Sequence, residues 1–175
     1  MSVVYGRALG FARALVCAAA ALVSLTATAE AHGRHHGGHL QCAPYAREVS
    51  GIDIRGNAGT WWSQAKGLYS RGAEPERGSV LAFKSTGSMP LGHVAVVSKI
   101  IDARHVLLNH ANWSGHGDVQ KAALAVDVSD AGDWSAVRVW HAGSGALGTR
   151  VNPTYGFIYA AAARHERGVE MAMND

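Results

Sequence analysis

Cys42 is the residue on which thiol chemistry in this chain would depend. It opens a short helical pattern, in which Pro44 suits the first turn and Gly51 suits the position after the last turn. A cysteine at a helix N-terminus lies at the positive end of the helix dipole, which lowers the pKa of the thiol and favours the nucleophilic thiolate. The stretch Gln41–Gly51 therefore predicts a helix with a reactive thiol at its start.

Residues 1–31 have the pattern of a Sec-type signal peptide. Two arginines precede an apolar run, residues 14–25, which is too short to span a bilayer comfortably and is followed by small residues. Cleavage would export the protein to the periplasm or the exterior and would remove Cys17, leaving Cys42 as the only cysteine. Such a cysteine cannot form an internal disulfide, so it is an inert buried residue, an intermolecular partner or a free reactive thiol.

Composition divides the remainder into three parts. Residues 32–39 are a His/Gly-rich tract, expected to be a linker, with flexible metal chelation as the alternative. Residues 40–160 form one domain, and residues 161–175 a polar tail. Without residues 1–31 the chain keeps 14 basic and 12 acidic residues, a formal charge of +2 that does not indicate nucleic-acid binding. We expect no cofactor, no bound metal and no stable membrane insertion after the signal is removed.

The domain begins with helical patterns and continues with strands. Residues 60–69 predict a second helix, with Thr60 as its N-cap. Short apolar runs rich in β-branched residues follow, separated by Gly- and Pro-containing turns; they occupy residues 79–83, 93–100, 105–113, 123–128, 136–140 and 155–160. This order predicts an α+β domain in which N-terminal helices pack on a mostly antiparallel sheet of about five to six strands.

A thiol nucleophile needs a base, and His93 begins a strand directly after a turn. If strands 93–100 and 105–113 pair around a turn near residues 101–104, opposed residue numbers sum to about 204. An odd sum places His93 on the face that carries His110 and Asn112, whereas an even sum selects Asn109 and Ala111. Both strands are apolar on both faces, so alternation does not decide the register.

Four motifs, in this order, resemble the CHAP family of cysteine- and histidine-dependent amidohydrolases and peptidases. They are Gln41-Cys42 at a helix start, Pro75-Glu76-Arg77-Gly78-Ser79-Val80-Leu81-Ala82-Phe83, Gly92-His93-Val94-Ala95-Val96-Val97 and Asn112-Trp113. The resemblance covers about residues 40–160 and implies a papain-like fold. It also implies cleavage of amide bonds in bacterial peptidoglycan, which would be the partner of the protein.

The resemblance implies roles for individual residues. Cys42 corresponds to the family nucleophile, His93 to its base and Asn112 to the family asparagine. Many members carry a glutamate two residues before the Asn-Trp pair, where this chain has His110. An imidazole can accept a hydrogen bond from His93 but adds no negative charge, so it supports an imidazolium less strongly. We expect His110 to orient His93, with Asn112 and Asn109 as the alternatives.

The expected activity is acyl transfer from an amide to the Cys42 thiol and then to water. The oxyanion would be stabilised by the Cys42 backbone N–H, with Gln41 or Tyr45 as possible side-chain donors. Two alternatives remain at this point. One is a papain-like cysteine acyltransferase, and the other is a non-catalytic module that binds the envelope or a metal on the same fold.

Overall fold

The computed structural model describes residues 39–160. The signal peptide predicted at 1–31, nearly all of the linker at 32–39 and the tail at 161–175 lie outside this range. The elements are α1 (Cys42–Ser50), a 3₁₀ turn (Ala58–Thr60), α2 (Trp61–Gln64), β1 (Ser70–Gly72), β2 (Val80–Phe83), β3 (His93–Asp102), β4 (His105–Ala111), β5 (Val119–Asp127), β6 (Ala136–His141), β7 (Ala146–Leu147) and β8 (Asn152–Tyr159). No helix within residues 39–160 is long and apolar enough to cross a membrane.

Helix α1 begins and ends where its sequence predicts. Gln41 is extended and precedes the first helical residue, Cys42. Gly51 adopts the left-handed conformation (φ 72°) and donates its N–H to the Arg47 carbonyl, which ends the helix. Ala43 is buried in a cluster that also contains Val94 of β3, so the start of α1 is held against that strand.

Helix α2 is shorter than the sequence predicts. Residues 58–60 form a 3₁₀ turn, and α2 ends at Gln64 rather than continuing to residue 69. The chain turns near Gly67, which has a φ of 80° outside the helical region. Trp61 is fully buried, so this tryptophan is part of the core.

The strands form a closed barrel, and the predicted α+β, papain-like class is therefore wrong. Six strands pair in a ring in the order β8-β2-β3-β4-β5-β6, and β6 pairs with β8 to close it. The short strand β1 pairs with β8, and the short strand β7 pairs with β6. Every pairing between the strands is antiparallel. Eight strands replace the five to six expected, and the two short helices do not form a layer over an open sheet.

Alternating side chains of the barrel strands build two separate cores. The first contains Val80, Val94 and Ile158 together with residues of α1 and α2. The second contains residues of the opposite parity, such as Leu81, Ala95 and Phe157, and fills the barrel interior. His93 has the parity of Ala95, and His110 has the parity of Leu108, another interior residue. Both histidines therefore point to the interior side of the barrel wall.

The register of β3 on β4 is the odd alternative at the end that carries His93. Val96 pairs with Asn109 and Val97 with Leu108, so the numbers sum to 205. Continued to the start of β3, this register sets His93 opposite Asn112. Irregularities after Val97 and after Ile100 shift the register toward the turn. One sum near 204 therefore does not describe the whole hairpin.

Gly92 allows the backbone to approach closely just before His93. It has a φ of 69°, and a Cβ there would lie 2.5 Å from the Gly59 backbone. The Gly59 N–H donates to the Leu91 carbonyl at 2.8 Å, which ties the same two loops together. The first residue of β3 is thus anchored to the 3₁₀ turn.

Candidate active site

Cys42 and His93 line one cleft of about 1120 Å³. Cys42 is half-buried at the start of α1. The Val94 backbone amide contacts the Cys42 sulfur and favours the thiolate more than any other backbone group does. Cys42 is the first residue of α1 and His93 the first of β3, so the starts of these two elements lie together at the cleft.

His93 is hydrogen-bonded to His110. The distance from His93 Nε2 to His110 Nδ1 is 3.1 Å, and the two rings meet edge to face. This bond uses Nε2 of His93, so Nδ1 is the nitrogen left to exchange a proton with a thiol. His110 in turn lies 3.0 Å from Gln120, through its Nε2 and the Gln120 Oε1.

Aromatic side chains enclose the two histidines. Trp113 packs against both rings, with centroid distances of 4.8 Å to His93 and 5.3 Å to His110. Phe83 contacts His93 edge to face. His93 is 4% exposed and His110 is completely buried. The packing buries the imidazole pair, and His93 still lies on the cleft wall.

Burial sets the protonation of these groups. It lowers the pKa of His93 well below its ordinary value, and the neighbouring His110 lowers it further. It also lowers the pKa of His110 to about 4, although the hydrogen bond to Gln120 acts in the opposite direction. Both rings are therefore neutral at physiological pH.

Burial also raises the pKa of the Cys42 thiol, so the expectation of a lowered value was wrong. Desolvation of the thiolate outweighs the backbone N–H groups of Val94, Ala43 and Cys42 that favour it. With a weakly acidic thiol and a weakly basic imidazole, the resting pair is neutral. His93 is then suited to remove the thiol proton as the sulfur attacks, rather than to hold a preformed ion pair.

Asn112 lies on the cleft wall but makes a different set of contacts from those expected for an orienting residue. Its Nδ2 donates to Gln41 Oε1 at 2.8 Å, and its Oδ1 accepts the Gly117 N–H at 2.9 Å. Its φ of 61° is left-handed, a conformation that asparagine tolerates. Asn112 thus links the approach to α1 with the loop after β4.

The alternative orienting residue, Asn109, faces away from this site. It lies on β4 one position from His110, so its side chain points to the opposite face of the strand. Its Oδ1 accepts the Ala122 N–H at 2.9 Å. Of the three candidates, His110 is the one that contacts His93.

The two side chains suggested for the oxyanion differ in position. Gln41 lines the cleft, although its Oε1 is engaged by Asn112. Tyr45 is buried on α1 and is not part of the cleft wall, so the structure gives no support for Tyr45 as a donor. The Cys42 backbone N–H lies in the first turn of α1, where N–H groups have no acceptor within the helix.

Two residues that contact the histidine pair had no role assigned from the sequence. Trp113 belonged to a recognised motif, but its packing on both rings depends on the barrel. Gln120 carries no local signal, because it reaches His110 only through the pairing of β5 with β4. The sequence predicts a strand at residues 123–128, but it does not indicate that this strand pairs with β4.

Cys42 and His93 line one cleft, and His110 is hydrogen-bonded to His93 from the buried side. The family model of the CHAP domain matches residues 32–112, the segment that contains Cys42, His93 and His110. This segment belongs to the CHAP family, which confirms the resemblance seen in its motifs. Members of the family are generally amidohydrolases or peptidases, so membership supports a hydrolase related to peptidoglycan-cleaving enzymes. No curated protein matches the chain.

Proposed function

We propose that the protein is an exported cysteine hydrolase that cleaves amide bonds of peptidoglycan through an acyl-enzyme on Cys42. The observation that carries the proposal is the placement of Cys42 and His93 on one cleft, with His93 hydrogen-bonded from behind by His110. Nucleophile, base and orienting group then form a triad. The signal-like pattern of residues 1–31 supports export, and the proposed substrate, which lies outside the cytoplasmic membrane, requires it.

The first half-reaction forms the thioester. As Cys42 Sγ attacks the amide carbonyl, its proton passes to His93 Nδ1, and the oxyanion is stabilised by the Cys42 backbone N–H. The resulting imidazolium is hydrogen-bonded to His110. It then gives its proton to the departing amine nitrogen while the C–N bond breaks, which leaves the acyl group on sulfur.

The second half-reaction releases the acyl group. Water attacks the thioester carbonyl and gives a proton to His93 Nδ1. The C–S bond breaks, a carboxylic acid leaves, and the thiolate recovers the proton from His93. The nucleophile and the base both belong to the chain, so these residues account for every proton and bond in the cycle.

The charge of the cleft supports an anionic substrate. Among the described residues that line it, Arg150 is the only Lys, Arg, Asp or Glu side chain. Peptidoglycan stem peptides carry free carboxylates, which an arginine can bind through paired hydrogen bonds. We propose that Arg150 binds a stem carboxylate next to the scissile amide.

The test is digestion of purified peptidoglycan, with the masses of the released fragments identifying the bond. Hydrolysis in water labelled with ¹⁸O should place the label in the new carboxylate. Loss of fragments in the Cys42→Ala and His93→Ala variants is expected. Fragments that appear unchanged with Cys42→Ala would overturn the proposal. Unlabelled products joined to an added amine would instead identify an acyltransferase.

A further inference from the structure

Gln120 occupies the far end of a hydrogen-bond chain that reaches the cleft. The chain runs from Gln120 Oε1 to His110 Nε2 at 3.0 Å, and from His110 Nδ1 to His93 Nε2 at 3.1 Å. Each neutral imidazole carries one N–H and one lone pair. The direction of one hydrogen bond therefore determines the direction of the next.

An amide oxygen accepts a hydrogen bond and cannot donate one. With Gln120 Oε1 facing it, His110 must carry its proton on Nε2, which leaves a lone pair on Nδ1. His93 must then donate from Nε2, which leaves the lone pair on its Nδ1. This is the tautomer that a base needs to take a proton from Cys42. If the Gln120 amide nitrogen faced His110 instead, every proton would move and His93 Nδ1 would carry the hydrogen.

A β-bulge brings Gln120 to this position. Leu108 pairs with Ala123, so an unbroken register would set Lys121 opposite His110. The register shifts by one between Leu108 and His110, and Gln120 becomes the partner of His110. The shift also changes which parity of β5 faces the barrel interior, from the odd position of Ala125 to the even position of Gln120.

Two features of the chain mark the bulge, one unfavourable and one stabilising. Ala122 adopts a left-handed φ of 55°, which is unfavourable for a residue with a Cβ. The Ala122 N–H is accepted by Asn109 Oδ1 at 2.9 Å. Backbone strain of this kind persists where the surrounding structure requires it. As a result of the bulge, Gln120 rather than Lys121 lies beside the buried His110.

We propose that Gln120 is a positioning residue that sets the tautomer of His93 through His110. This inference rests on the proposed thiol hydrolysis, but the tautomer can be measured without it. Gln120 does not line the cleft, and it acts by accepting the hydrogen bond from the His110 Nε2–H. A carboxylate at this position would accept the same hydrogen bond, whereas the thioether of a methionine of similar length is only a weak acceptor.

Two-bond ¹H–¹⁵N spectra of the full chain carrying Cys42→Ala distinguish the tautomers, with signals assigned by His93→Asn and His110→Asn. We expect Nε2–H forms of both histidines in the parent and in Gln120→Glu, and a mixture of forms in Gln120→Met. Val119→Met, an exposed neighbour on β5, is the matched control and should resemble the parent. Identical tautomers in Gln120→Met and the parent would overturn the proposal.

Turnover supplies the second readout. With Cys42 restored, Gln120→Met should lower kcat by about tenfold or more at unchanged KM, because a wrong tautomer can reduce kcat by up to about 10⁴-fold. Gln120→Glu should restore most of the loss. Wild-type kcat in Gln120→Met would overturn the positioning role. Absence of activity in the unmodified protein would instead contradict the proposed function, while the spectra would still decide the tautomer.

Discussion

His93 Nε2 and His110 Nδ1 are joined by a hydrogen bond of 3.1 Å inside the end of a β-barrel. The base of the proposed triad is thus oriented by a neutral imidazole rather than by a carboxylate. His110 fixes the ring and its proton, but it adds no charge to stabilise the imidazolium. Catalysis then depends on keeping the imidazole in the correct tautomer at the moment of attack.

Removal of His110 should reduce turnover far more than it reduces substrate binding. His110→Ala takes away the partner of His93 Nε2, and we expect kcat to fall by about 10²–10⁴-fold with little change in KM. Steady-state kinetics on soluble peptidoglycan fragments measure both constants. His105→Ala, at the opposite end of β4, is the control and should keep wild-type kcat. Wild-type turnover in His110→Ala would show that the hydrogen bond has no catalytic role.

The buried histidines should make folding sensitive to acid. Below the ordinary histidine pKa of about 6.5 the unfolded chain binds protons that folded His110 does not bind until about pH 4. The free energy of unfolding should therefore be highest above pH 6.5 and fall as the pH decreases toward 4. For His110 alone the loss is on the order of 3 kcal/mol over that interval.

Urea denaturation at a series of pH values measures this slope. His93, whose pKa is also lowered, adds to the effect in the same direction. A His93→Gln, His110→Gln double variant should show a shallower decline than the parent, and His105→Gln should not. An equally steep decline in the double variant would assign the acid sensitivity to other groups.

Substitution of Gly92 should displace the start of β3. Gly92→Ala combines a left-handed φ with a Cβ 2.5 Å from the Gly59 backbone, so we expect about 2–4 kcal/mol of destabilisation. Gly78→Ala has a similar φ of 84° but open space, and should cost about 1–2 kcal/mol. Gly87→Ala has neither feature and should change stability by less than about 0.5 kcal/mol.

Chemical denaturation of the three glycine variants gives the order directly. The difference between Gly92→Ala and Gly78→Ala isolates the contact with Gly59, since both sites share the strained φ. Equal stabilities for these two variants would mean that the loops separate without a penalty. Activity of Gly92→Ala should also fall, because His93 is the next residue.

Arg150 should affect substrate binding rather than chemistry. Arg150→Ala removes the single charged side chain among the described cleft residues, and we expect KM to rise about tenfold or more with kcat little changed. Arg150→Lys should retain part of the affinity. Arg77→Ala removes the same charge from an exposed position away from the cleft and serves as the control. An unchanged KM in Arg150→Ala would exclude carboxylate binding by this residue.

The ends of helix α1 could be predicted from the sequence, but the closure of the strands into a barrel could not. Pro44 and Gly51 mark the ends of α1 because capping depends on neighbouring residues. Barrel closure depends on β8: a strand is predicted at residues 155–160, but its pairing with both β2 and β6 has no local signature. Two short strands, β1 and β7, were missed because two or three residues cannot show alternation.

The candidate site divides in the same way. Cys42, His93 and His110 could be named because their types and the order of the motifs point to one chemistry. Gln120 could not, since a bulge in β5 determines which of two neighbouring residues meets His110. The thiol pKa was predicted in the wrong direction, because the helix dipole is visible in the sequence whereas the burial of Cys42 against β3 is not.

The most direct test of the central claim is the rate at which purified peptidoglycan releases soluble fragments with the wild-type protein and with Cys42→Ala. The account predicts release by the wild type and a loss of at least about 10³-fold in the variant, with the circular dichroism of the two proteins unchanged. Equal rates of release by wild type and folded Cys42→Ala would contradict catalysis by the thiol.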